Sequence, residues 1–145
     1  MANLSLDTTL TGTLDPGRET QLYQFTGNAG QRLYFDDLGS QTGANWNLYQ
    51  GNNQSVSSGS LNSDREFVLS NSGTYILALQ GNSNTPVAYN LRLVNAQTTP
   101  TALTLGTEVN GSIAKPGEQD EYTFTGIVGQ RLYFDNLGSN TSLTA

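Results

Sequence analysis

Residues 30–40, GQRLYFDDLGS, return at 129–139 as GQRLYFDNLGS, with Asp37 to Asn136 the one change. Leu4, Leu6, Thr8, Gly12, Tyr23, Phe25, Thr26 and Gly27 recur at the same offset of 99 as Leu103, Leu105, Thr107, Gly111, Tyr122, Phe124, Thr125 and Gly126. A fixed period decides how a chain divides before any finer reading. One whole repeat is followed by the first part of a second. The expected layout is a complete domain at 1–94, a linker at 95–102 and a truncated second repeat at 103–145. Residues 103–145 match 4–46, so the apolar faces of that copy lack their opposing strands. Such a half domain has open edges and a bare face, which favours self-association. The chain reads as a piece of a longer tandem array.

Each repeat alternates apolar and polar residues at period two, the mark of half-buried strands. Strands are expected at 9–14 and 19–26 around an Asp15-Pro16-Gly17 turn, whose residue types suit tight turns. Further strands are expected at 31–38, 45–50, 65–70, 74–80 and 87–94, with a short edge strand near 55–57. Residues 74–80 are apolar on both faces, as a central strand requires. About eight short strands and no helical period predict an all-β, antiparallel, jelly-roll-like β-sandwich. Its inward set is Tyr23, Phe25, Leu33, Phe35, Trp46, Leu48, Phe67, Leu69, Tyr75, Leu77, Leu79, Tyr89, Leu91 and Leu93. Hydrophobic residues are only 35% of the chain, but seven Tyr, five Phe and one Trp sit in the apolar runs, which disordered chains lack.

Reactive chemistry has little to work with. The absence of histidine and cysteine removes the usual catalytic triads and the commonest zinc ligands, and Lys115 is the sole lysine. Asp36 and Asp37 are adjacent on a strand and point to opposite faces, so they do not converge as a catalytic pair. Solvated or turn-capping acids are the ordinary reading there, with a cation shared with loop oxygens as the alternative. Asp64 and Glu66 flank Arg65 and read as an exposed ion pair with it. Tyr34 and Tyr49 fall on the outward faces of their strands and are the candidates for a ligand surface. A net charge of −6 disfavours nucleic acid and anionic membranes. No apolar run is long enough to span a bilayer, and MANLSLDTTL has no basic and apolar leader pattern.

The succession GTL…YQFTGNAGQRLYF…NWNLY…SGTYILAL…YNLRLV resembles the bacterial pre-peptidase C-terminal domain, and through it the collagen-binding module of clostridial collagenases. The resemblance covers about residues 4–94 and again 103–139. It implies a jelly-roll-like accessory module of secreted proteins, with calcium in the collagenase relatives bound by acidic residues before the first strand and by aspartates between the Gly-Thr-Leu and the Tyr/Phe strand. Here Gln21 stands where an aspartate is expected, and no acid precedes Leu4. In the second copy Asp120 fills that position with Glu118 nearby. The metal candidates are Glu118 and Asp120 from this match, with Asp36 and Asp37 from the strand-end reading above, and the first repeat is expected not to bind calcium in the family manner.

The functional expectation is a non-catalytic module, not an enzyme, within a larger secreted multi-repeat protein. It would act as spacer, stabiliser or weak binder of an extracellular polymer, with neighbouring repeats as partners. A calcium-dependent adhesion or structural repeat is the alternative, and a hydrolase fragment a distant third.

Overall fold

In the computed structural model, which describes residues 1–138, two sheets pack face to face and no helix forms. Residues 139–145, the end of the expected second repeat, lie outside the described residues. The first sheet has five strands: β1 (Ala2–Asn3), β3 (Thr20–Gly27), β8 (Gly73–Gly81), β5 (Ala44–Gln50) and β6 (Ser55–Ser60), in that spatial order. The second has four: β2 (Thr9–Leu14), β9 (Val87–Asn95), β4 (Arg32–Asp37) and β7 (Arg65–Val68). The expected sandwich is present. Its pairings are antiparallel except at β1, an unexpected strand that runs parallel to β3.

The core forms where the inward sides of both sheets meet. Of the fourteen expected inward residues, all are buried except Phe67, which is half-buried near the β7 edge. Leu4, Leu14, Ala44, Leu61 and Val87 join them. Each fully buried Leu or Phe contributes roughly 1.5–3 kcal/mol relative to exposure. Trp46 lies at the centre, stacked on Phe35 at 4.4 Å and tilted against Phe67 at 6.0 Å. The apolar outer face of 74–80 has its reason in β8, which is flanked by β3 and β5.

Two close approaches depend on glycine. Gly12 faces Tyr89 across the β2–β9 ladder, and a Cβ there would stand 2.2 Å from the phenolic oxygen. That oxygen shares a 2.6 Å hydrogen bond with Tyr23 and so ties the two sheets together. Gly17 sits against the 83–85 loop, where a Cβ would come within 1.9 Å of Thr85 O.

The second copy keeps its local geometry but not its core. β10 (Thr101–Ala102) pairs in parallel with β11 (Tyr122–Thr123), as β1 does with β3 at the offset of 99. Leu103 N–H donates to Thr123 O as Leu4 N–H does to Gln24 O. Thr107 Oγ1 bonds Thr104 O as Thr8 Oγ1 bonds Ser5 O. Gly106 holds φ 81° where Asp7 holds φ 62°. Yet Phe134 is 75% exposed where Phe35 is fully buried, and Leu132 is 52% exposed where Leu33 is fully buried.

Candidate functional site

The outward face of the four-stranded sheet carries the densest polar network. Outward positions of adjacent strands meet across the ladder. Asp36 of β4 opposes Arg92 of β9, and Tyr34 opposes Glu66 of β7 on one side and Val94 of β9 on the other. The side chains then pair by charge. Arg92 Nε and Nη2 donate to Asp36 Oδ2 at 3.0 and 2.6 Å. Asp36 is 5% exposed, so it is neither solvated nor a turn cap, contrary to the sequence expectation. The longer Arg92 covers it. Asp37 does cap the following turn, accepting from the N–H groups of Gly39 and Ser40 at 3.0 Å.

Arg65 does not pair with its sequence neighbours. Glu66 pairs with Arg32, whose Nε is 2.6 Å from Oε1, because the β4–β7 register places the two strands side by side. Asp64 instead accepts from the Tyr34 hydroxyl at 3.1 Å and from Asp37 N–H at 2.8 Å. Arg65 donates to Ser58 O. Burial first, and then the bond to Asp64, raise the Tyr34 phenol above its ordinary value.

The second copy reaches this face. Arg32 donates to Ala96 O at 2.8 Å through Nη1 and to Gly117 O through Nη2. Gly117, at φ 71°, lies against the Tyr34 side chain, where a Cβ would be 2.7 Å from its Cβ, Cγ and Cδ2. Thr98 Oγ1 bonds Gln119 O at 2.7 Å. A cleft beside this contact is lined by Val94, Gln97, Lys115, Pro116 and Gln119. The turn itself is held by Glu118, whose Oε2 accepts from Ala114 and Lys115 N–H at 2.6 and 2.7 Å. Those two bonds lower the Glu118 carboxyl below its usual range. Glu19 makes the matching bond to Asp15 N–H in the first copy.

The candidate residues thus fall in separate places. Tyr34 is half-buried under the 114–118 turn, while Tyr49 lies half-buried on the outward face of the other sheet beside Ile76. They do not form one surface. Asp36 is bound to Arg92, Asp37 and Glu118 cap turns, and Asp120 is exposed. Among the described residues no group of three or more acidic side chains is placed to hold a metal ion. Arg32 is the network residue that composition and periodicity did not single out. Its one signal was its position inside the duplicated stretch.

No known family matches the chain. No curated protein matches it either. Solved structures do. PliG of Aeromonas hydrophila, a periplasmic lysozyme inhibitor of g-type lysozyme, is 18% identical with a TM-score of 0.54, over 64% of this chain and 93% of that one. The pre-peptidase C-terminal domain of collagenase from Bacillus anthracis is 21% identical with a TM-score of 0.53, over 63% of this chain and 92% of that one. At these identities the likeness is one of fold, and that fold includes the pre-peptidase C-terminal domain that the motifs resemble.

Proposed function

We propose that residues 1–94 are a non-catalytic β-sandwich module of a larger exported protein, and that 103–145 open a second module of the same kind. The module acts as a spacer whose outward sheet face receives the next repeat. The observation that carries this reading is the seating of the 114–118 turn on Tyr34, fixed by Arg32. The charged groups of that face and Tyr34 are engaged with one another and with neighbouring segments: Arg92 with Asp36, Arg32 with Glu66 and Gly117, and Tyr34 with Asp64. Fold likeness to an accessory domain and to a periplasmic inhibitor supports a non-enzymatic, exported role. A weak polymer-binding role would use the same sandwich through its remaining faces.

Amide hydrogen exchange on the full chain, with and without Arg32→Ala, tests the spacer reading. The Arg32–Glu66 pair is partly exposed and contributes less than about 1 kcal/mol to the domain. The variant should therefore keep core protection in β3, β8 and β9 while the amides of 117–119 exchange several-fold faster. Unchanged exchange at 117–119 would show that the face does not hold the next repeat.

A further inference from the structure

One half of the contact between the first module and the 114–118 turn is repeated in the chain, and the other half is not. Arg32 and Tyr34, which receive the turn, recur as Arg131 and Tyr133. The turn recurs only in part. Residues 15–19 read Asp-Pro-Gly-Arg-Glu, and residues 114–118 read Ala-Lys-Pro-Gly-Glu. Both close in the same way, Glu19 N–H donating to Pro16 O at 2.8 Å and Glu118 N–H to Lys115 O at 3.1 Å. Within that frame the Pro-Gly pair has slipped by one residue, so Arg18 stands where the second copy has Gly117.

The slip changes what each turn can touch. Gly117 holds φ 71°, a region that glycine enters freely, and brings bare backbone onto Tyr34. A Cβ at 117 would stand 2.7 Å from Tyr34 Cβ, Cγ and Cδ2, well inside the separation of about 3.5–4.0 Å at which carbon atoms rest. Arg32 donates to the carbonyl of Gly117, a group that every residue has, so this bond holds a turn without choosing it. Choice falls to the Tyr34 contact. The turn of the first repeat is engaged elsewhere. Gly17 O accepts from Ser83 N–H at 3.1 Å and Arg18 Nε donates to Asn84 Oδ1 at 3.0 Å, both within its own sandwich.

On the basis of the spacer reading, we infer that Gly117 determines which turn the Arg32–Tyr34 face accepts, the partner being the next module of the array. The turn of the first repeat, with Arg18 at that position, does not seat on such a face. The contact between modules is therefore directional. A module with Arg and Tyr at these places on β4 takes a follower whose turn carries the glycine of 117. The first repeat accepts such a follower and is itself excluded from following another module through this contact.

Protection of the 117–119 amides in the full chain, read together with the NMR shifts of the Tyr34 ring, tests the selection. Gly117→Arg and Gly117→Asn should both lose protection several-fold and move the Tyr34 ring to its shifts in Arg32→Ala. Asparagine tolerates the left-handed φ, so its loss reports the Tyr34 contact rather than backbone strain. Lys115→Pro/Pro116→Gly copies the Pro-Gly pair of the first repeat but keeps Gly117, and it should retain both signals of the parent chain. Core protection in β3, β8 and β9 should hold in every variant, since 117 lies outside residues 1–94. Intact protection in Gly117→Arg or Gly117→Asn overturns the assignment, as does a loss in Lys115→Pro/Pro116→Gly equal to that in Gly117→Arg. Release by Arg32→Ala without release by Gly117→Arg would sink the selectivity and leave the spacer reading standing. No release by Arg32→Ala would remove both.

Discussion

Replacing Trp46 separates packing from polarity at the centre of the core. Its indole is fully buried, stacked on Phe35 with planes 11° apart, and so close to Gly59 that a Cβ there would stand 3.0 Å from Nε1. Trp46→Ala removes the ring and leaves a cavity, at a cost of about 3–5 kcal/mol. For a domain of this size each kcal/mol is about 4–8 °C, so the variant should melt roughly 12–40 °C lower. Trp46→Phe should behave differently. The indole Nε1–H has no acceptor among the described residues, and an unmade buried hydrogen bond costs roughly 1–3 kcal/mol. Phenylalanine removes that donor while keeping a ring on Phe35, so the net change should stay below about 1.5 kcal/mol. Denaturant unfolding followed by far-ultraviolet circular dichroism measures both, since the only tryptophan is the residue replaced. A Trp46→Phe loss as large as that of Trp46→Ala would refute the reasoning.

Gly12→Ala should cost about 1–3 kcal/mol by displacing the Tyr89 hydroxyl from Tyr23, whereas Gly111→Ala should change the melt little. Asp36→Asn should cost about 1–3 kcal/mol, less than a fully buried pair because Arg92 is partly exposed; the Asp36→Leu/Arg92→Met double variant should recover most of the loss. Burial and the bond to Tyr23 push the Tyr89 phenol up, and Tyr34 is raised as well. A raised folded value makes this stability complete below the unfolded value near 10 and erodes it as pH climbs toward the folded values. Melts should therefore weaken above about pH 10, and Tyr89→Phe should flatten that slope. Calcium followed by chelator should leave the melting temperature unchanged, and a rise with calcium would favour the adhesion-repeat alternative.

Period two made the sandwich legible because each strand has one face in water and one in the core. That rule assigned Trp46, Phe35 and Leu91 inward without a register. It also set Asp36 and Arg92 outward on their strands, but only the β4–β9 pairing brings them opposite each other and buries the carboxylate. The same register, not adjacency in sequence, gives Glu66 to Arg32. β1 escaped notice because Ala2 and Asn3 carry no alternation, and a two-residue parallel strand leaves no pattern to read. The covering of Tyr34 by Gly117 was hidden for another reason. Strand parity says which way a side chain points, never which distant turn comes to rest on it.

The hydrogen bonds that join Asp7 to β9 also decide how the module bears tension. Beyond the short β1, which lies on the other sheet, the chain runs through β2 and leaves at the end of β9; β2 and β9 run antiparallel with Thr9 opposite Arg92, so the start of β2 and the end of β9 lie at the same end of one ladder. A pull along a tethered array would load the rungs one after another, as in opening a zipper, rather than shearing them together. Each folded module then adds little to the span of the array. One that opens releases some ninety residues, about 300 Å of slack at full extension. In the proposed array, such a sandwich would be a compliant link that lengthens far once its ladder opens.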